Sequence, residues 1–436
     1  MAGTNVVPID VADVKISLSV DGGVTYPHVL AAATANDGSE SVVLPNVATT
    51  KARIKVEAVG NVFFDISATD FTIQAVPVLT TFDRAVQYSD GLGGATVVSA
   101  VDEDSEGSTL SAVATGVPGL TLAVSATSGA GVLPGTRTWT LAGNVTAAPG
   151  SYPVSVTVTD GTGGSSTASF TVTVTQEDVS PAYVGDAIAF AGPGGSASIL
   201  LRATVRDSAI VSGSGDAAAG DIRNAAVTFR QGPTALCGPV PVQLIGSALT
   251  TGAASCSASL GLGVHTVDVV IGNFYTGTSS ASVRVLNPAP NQRHVDGKGN
   301  ITIGPSGGTH PADTGSRLNF ELDVRFKSAS GPTGFVEVVY EGGGKAYRIR
   351  SNDIDALGAF AGDADFRATA RLMDITNRGR PILVADGLML RVTADGTDPD
   401  AIGLTLWGVN RLVFSSRWTG FSTLDQLLAG GRIDVR

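Results

Sequence analysis

Whatever chemistry this 436-residue chain performs would have to come from four histidines, two cysteines and a scatter of acidic turns. His28, His265, His294 and His310 each stand alone. A zinc peptidase needs two histidines one helical turn apart with a glutamate base between them, HExxH, and no pair here has that spacing. Ser306 in "GPSGG" (Gly304 to Gly308) lacks the strand-turn-helix setting of a nucleophile elbow. Carboxylates are plentiful, but no pattern places two in one cleft. The expectation is a protein that is not an enzyme, with no catalytic residues.

Calcium is the one cofactor the residue types suggest, because it takes several hard oxygens from neighbouring carboxylates and carbonyls. The turn "DEDSE" supplies Asp102, Glu103, Asp104 and Glu106, with Asp90 one strand earlier; Asp90, Asp102, Asp104 and Glu106 form the first candidate set. Asp395, Asp398 and Asp400 in "ADGTDPDAIG" form the second. Glu177, Asp178 and Asp186 flank a link between two units and make a third. Each group reads more readily as a solvated acidic turn, and in the second Asp-Gly and Asp-Pro are ordinary turn chemistry.

Cys237 and Cys256 lie close together in "CGPVPVQLIGSALTTGAASC". They read either as a local disulfide, if the chain is exported, or as two buried thiols. Zinc is excluded, because about four ligands are needed and no histidine pair is near. Trp139 in "TRTWTL" reads as core. Trp418, beside Arg417 and Phe421, reads as a surface aromatic or as a platform for a glycan. Lys345, Arg348 and Arg350 make the most basic spot and read as a solvated strand face.

The elements that must position these residues are strands. Gly and Pro are abundant, at 55 and 20 residues, and strand signals recur every 8–12 residues or so, the rhythm of sandwiches and barrels. Polar and apolar residues take turns in "ARIKVEAV", "SYPVSVTVTD", "SFTVTVTQ", "HTVDVVIG" and "FVEVVY", so one sheet face is buried and the other wet. Only "STLDQLLAG" suggests a short helical turn. The fold class expected is all-β: four tandem modules, mainly Ig-like β-sandwiches, with a distinct C-terminal β domain. Pro-containing links near Pro77, Glu177 and Pro288 divide them into 1–77, 78–177, 178–289 and 290–436.

A formal net charge of −11 with no basic stripe argues against nucleic acid and anionic lipid as partners. No apolar run approaches the ~18 residues of a spanning helix, so no membrane insertion is expected. The start "MAGTNVVPID" has neither a basic nor an apolar leader region, so no signal peptide is read in this chain.

Several stretches resemble secreted bacterial modules. Ser17 to Tyr26, "NDGSE" and "ARIKVEAVGNVFFDIS" resemble the Ig-like module that follows the catalytic domain in reprolysin-like zinc metallopeptidases. Against that pattern Met1 falls at the end of a first strand, which implies an N-terminally truncated module. "VDEDSEGSTLSAVAT" and "SYPVSVTVTDGTGGSSTASFTVTV" resemble bacterial Ig-like or cadherin-like repeats. "YVGD", "ILLRATVRD", "GDIRNAAVTF" and the Cys237–Cys256 segment resemble another secreted Ig-like module. "NFELDVRFKSASGPTGFVEVVY", "DFRATARL" and "GGRIDVR" resemble a β domain at the end of such proteins.

Together these imply a non-catalytic extracellular or cell-surface segment with a structural or adhesion role. Its partners would be other protein chains or cell-surface components, and homo-assembly by strand donation into rods or filaments is one expectation. Alternatives are an accessory region of a secreted peptidase, or a glycan-binding module.

Overall fold

Val, Ile and Thr crowd the alternating stretches, and β-branched side chains fit a pleated, half-buried surface better than a helix. The computed structural model describes residues 3–207, 217–287, 294–327, 331–409 and 411–436, and in these it is all-β. The helical turns among the described residues are two short 3₁₀ segments, Gly107–Thr109 and Ile222–Asn224. The link expected at Pro288 lies outside the described residues. The chain gathers into two compact units: Met1–Val86 with Gly91–Val174, and Gln87–Asp90 with Thr175–Arg436.

In the first unit, strand Asp13–Ser19 is flanked by His28–Ala35 and Thr49–Ala58, and Thr49–Ala58 also carries Phe64–Ile66 and Phe71–Ile73. Its first strand ends in a glycine turn after Ser19. Gly22 and Gly23 adopt φ of +79° and +91°, which a Cβ disfavours. The Asp21 carboxylate accepts from the amide and hydroxyl of Thr25 and the hydroxyl of Ser19. The core of this sheet is small: Leu18, Ala52 and Ile73.

Further along the same unit, two four-stranded sheets form a sandwich. One runs Thr121–Thr127, Gly135–Ala142, Thr96–Asp102, Val78–Thr81; the other Arg84–Gln87, Ser165–Thr175, Gly150–Thr159, Ser111–Ala114. Alternate residues Val154, Val156 and Val158 are buried, as are Phe170, Val172 and Val174, matching the period of two that their sequence shows.

The second unit begins with another pair of sheets. Tyr275–Leu286, Gly263–Asn273, Ala225–Gln231 and Thr234–Pro241 lie in one, Ser180–Tyr183, Ser196–Arg206, Thr251–Gly261 and Gln243–Leu244 in the other. Its remaining strands form an antiparallel meander from His294–Thr302 through Leu412–Ser415. The end of the chain closes this sheet on itself. Gln426–Leu427 pairs with Ala401–Trp407, and Gly430–Val435 pairs with His294–Thr302 at the opposite end of the order. Tyr340 and Phe414, on strands far apart in that order, stack at 4.4 Å across the interior. The result is a filled barrel lined by Leu318, Phe320, Leu322, Val324, Phe366 and their neighbours.

The segment "STLDQLLAG" is extended rather than helical. Its apolar spacing imitates a helix, but Gln426 accepts from Gly304 N, donates to Ser416 O, and its backbone joins the barrel.

Candidate functional site

In the second unit, the turn Val184–Ala187 is gripped by charged residues of the barrel. Asp186 is 2% exposed; Arg367 Nε lies 2.7 and 3.0 Å from its two oxygens, and Leu200 N donates to Oδ2 at 2.7 Å. Asp365, also buried, accepts both Nε and Nη2 of Arg391 and the amide of Ala187. Arg391 Nη1 donates to Val184 O. Nearby, the Arg202 guanidinium lies 4.7 Å from the Trp407 ring centre and Thr204 donates to Phe421 O.

Burial dominates the electrostatics of this cluster. It pushes the Asp186 carboxyl up to about 6 despite Arg367, and pulls Arg202 down to about 10. For Arg391 burial works the other way from its partners, and Asp365 and Asp186 outweigh it, holding the guanidinium above its ordinary value. Asp186 and Asp365 are tolerable this deep because each faces an arginine, while Arg202 has the Trp407 ring and the Ser255 hydroxyl beside it. Gly358 completes the fit: a Cβ there would stand 2.3 Å from the Ile188 carbonyl carbon, so the barrel strand Lys345–Phe360 can meet the backbone of Ile188–Phe190 only without a side chain.

Cys237 and Cys256 are joined as a disulfide, with Cα atoms 6.5 Å apart. They sit on Thr234–Pro241, the edge strand of one sheet, and Thr251–Gly261, next to the edge of the other, so the bond staples the two sheets together along one side of the sandwich.

The acidic sets fare differently. Asp102 Oδ1 accepts from Asp104 N and Ser105 N, a turn in which the carboxylate replaces a backbone carbonyl. Asp104 Oδ2 accepts from Ala75 N. Asp102 Oδ2 and Asp104 Oδ1 are buried without a hydrogen-bond donor, and burial together with Asp104 raises the Asp102 carboxyl above its ordinary range. Glu106 supplies its backbone carbonyl to the 3₁₀ turn. Asp90, in the second unit, accepts from the amides of Ala217 and Ala218.

Asp395 caps its own loop through Thr397, Asp400 accepts from Ile433 N in the barrel closure, and Asp398 is exposed. Glu177 is buried near Ser89, and Asp178 accepts from Gln87. Among the described residues no three His, Cys, Asp or Glu side chains are disposed to hold a metal ion. The carboxylate oxygens of these turns that have a donor take it from a backbone amide or a hydroxyl.

Trp139 is buried, as its alternating strand requires. Lys345 pairs with Asp374 and Arg350 with Glu337 on the barrel exterior. The sequence reading named Asp186 as a link residue but missed Asp365, Arg367 and Arg391. No local signal marks them: they take the polar places between the barrel-facing Ala364, Phe366 and Ala368 and between Leu390 and Val392, where a charge is ordinary.

No protein-family model matches this chain, and no curated protein matches it. Among solved structures it is similar to EC1-3 of the mouse clustered protocadherin PcdhgC3, at 17% identity and a TM-score of 0.24, covering 62% of this chain and 88% of that one. The Yersinia pseudotuberculosis adhesin InvE gives 17% identity and a TM-score of 0.27 over 49% of this chain and 60% of that one. Extracellular cadherin domains 1-4 of protocadherin gamma B7 give 13% and 0.24 over 92% of each.

Proposed function

We propose that this chain is a non-catalytic extracellular segment with a structural or adhesion role, organised as four β modules with boundaries near residues 77, 177 and 289. The observation that carries the reading is the Cys237–Cys256 bond across two sheets, because such staples persist in oxidising compartments and are rare where thiols are kept reduced. The buried Asp186–Arg367 pair that joins the last sandwich to the barrel, with the hydrogen bonds from Ala187 N to Asp365 and from Arg391 to Val184 O, supports a segment built to hold its shape rather than to turn over a substrate.

Assembly would proceed through strand addition at His28–Ala35. Among the described residues this strand pairs on one side only, with Asp13–Ser19. It contains no Lys, Arg, Asp, Glu or Pro, the residues that usually block edge-to-edge pairing. A second copy could extend the sheet by main-chain hydrogen bonds.

Light scattering across a concentration series, with electron microscopy of the same samples, tests this. Mass that grows with concentration, and that falls back to monomer for Ala33→Lys, supports edge assembly. A monomer at every concentration removes it. Full thiol titration of the native chain without denaturant would remove the extracellular reading.

A further inference from the structure

The second unit holds a pocket of about 340 Å³ lined by Tyr183, Arg391, Thr393, Thr405, Trp407, Trp418 and Asp425 with their neighbours. That volume is at the lower end of the ~300–1,000 Å³ range of ligand sites and suits a single small ring. From these walls we infer that the pocket binds one neutral, polyhydroxylated ring, a pyranose unit of a glycan.

The aromatic wall is pre-set. Trp418 and Trp407 meet edge to face, with ring centres 6.3 Å apart. The backbone amide of Trp418 donates to Pro305 O at 2.6 Å, and its indole lies on Gly307, where a Cβ would come within 2.5 Å of the ring. The "GPSGG" run, which carries no nucleophile chemistry, is thus the seat of this indole. Trp407 is fixed from its other side by Arg202.

The same pocket holds a directional acceptor. Asp425 Oδ1 takes the hydroxyl of Thr393 at 2.5 Å, and no protein donor reaches Oδ2 among the described residues. Gly403 makes this pair possible, since a Cβ there would stand 2.2 Å from Asp425 Oδ1 and 2.5 Å from Thr393 Oγ1. The hydroxyls of Thr405 and Thr423 are linked at 2.7 Å beneath, and Ser422 adds another at the rim. Ligand hydroxyls would donate to Asp425 and exchange hydrogen bonds with this row, while ring C–H groups cover the indole.

Charge selects the class. An anion would face Asp425. An ammonium group would face Arg391, which lines the pocket, and Arg202 behind Trp407, both buried cations in a medium that screens them poorly. Arg391 commits three of its five N–H groups to Asp365 and Val184, and Asp365 already pairs its charge. A neutral ring with several hydroxyls meets none of these objections.

The test uses the full chain. Methyl pyranosides and N-acetylglucosamine at millimolar concentration are titrated while tryptophan fluorescence is read, followed by a glycan array. A saturable shift with at least one pyranoside is expected. Asp425→Asn keeps the shape and should weaken binding about tenfold, the scale of a lost charge-assisted hydrogen bond. Trp418→Ala should weaken it further, with circular dichroism confirming the fold, and Lys298→Ala on the barrel exterior should leave it unchanged. No response to any sugar overturns the inference. So does equal binding by Asp425→Asn and Trp418→Ala, or saturation by tetramethylammonium in place of sugars.

Discussion

The N-terminal sheet and the C-terminal barrel are made from the same kind of strand, yet they bury very different cores. Around Leu18, Ala52 and Ile73 the sheet leaves Val29, Val43, Val62 and Phe64 more than half exposed. Part of that surface is covered by a charge network instead. Lys55 lies over the rings of Phe64 and Tyr26 and shares Glu57 with Lys15, and both lysines hold the Glu57 carboxyl below its ordinary range. The barrel closes on itself, so inward residues of distant strands, such as Tyr340 and Phe414, meet across the interior. Alternation alone makes strands; closure makes a core. One region is held by its surface and one by its interior, and they should respond differently to the same insults.

The sharpest way to break the comparison is Arg391→Ala. Asp365 would be left buried with an unpaired charge, which costs about 3–5 kcal/mol. Urea denaturation should show a lowered midpoint for the second unit and no change for the first. Replacing Asp365→Leu together with Arg391→Met should recover most of the loss. A single-site cost below about 1 kcal/mol would mean that the ion pairs merely decorate the interface.

Next in size is the disulfide. Cys237 and Cys256 are 19 residues apart, a loop whose closure is worth about 3 kcal/mol in the unfolded chain. Cys237→Ala with Cys256→Ala should lower the second unit's thermal transition by that amount, and reductant should have no further effect on the double variant. A shift confined to the first unit would contradict the location of the bond.

Leu18→Ala follows. A buried leucine costs about 2–5 kcal/mol on truncation, with the low end expected where neighbours can collapse. Leu18 has few buried neighbours and half-open surroundings, so about 2 kcal/mol is expected, confined to the first unit. Leu322→Ala inside the barrel should cost more, because a closed wall cannot collapse around the gap. Equal costs, read by calorimetry, would erase the distinction drawn above.

Strand identity was legible in the sequence because it is local. "SYPVSVTVTD" alternates and becomes Gly150–Thr159; Asp21 with two glycines becomes a turn. Barrel closure was not legible, since the pairing of Gly430–Val435 with His294–Thr302 joins residues far apart in the chain and strand pattern carries no register across such distances. The Asp186–Arg367 pair hid for the same reason. At Gln426 side-chain hydrogen bonds and strand pairing overruled an apolar spacing that looked helical.

The smallest expected effect is a pH dependence, and it sharpens the comparison because the buried cluster belongs to the second unit alone. Asp186 titrates near 6 in the folded chain against an ordinary 3.8. Its native form binds a proton more tightly than the unfolded form, so stability falls as pH rises from about 4 to 6 and is regained on acidification. Between pH 7 and pH 5 the gain from this group is about 1 kcal/mol. Burial and the neighbouring cations lower His310, which contributes in the opposite sense over part of that range. Asp186→Asn removes only the first contribution. The second unit of the native chain should therefore gain more stability, or lose less, than that of Asp186→Asn when urea melts at pH 7 and pH 5 are compared, with identical curves for the first unit. Parallel pH profiles for the two proteins would show that Asp186 stays ionised throughout, with Arg367 rather than burial governing its carboxyl.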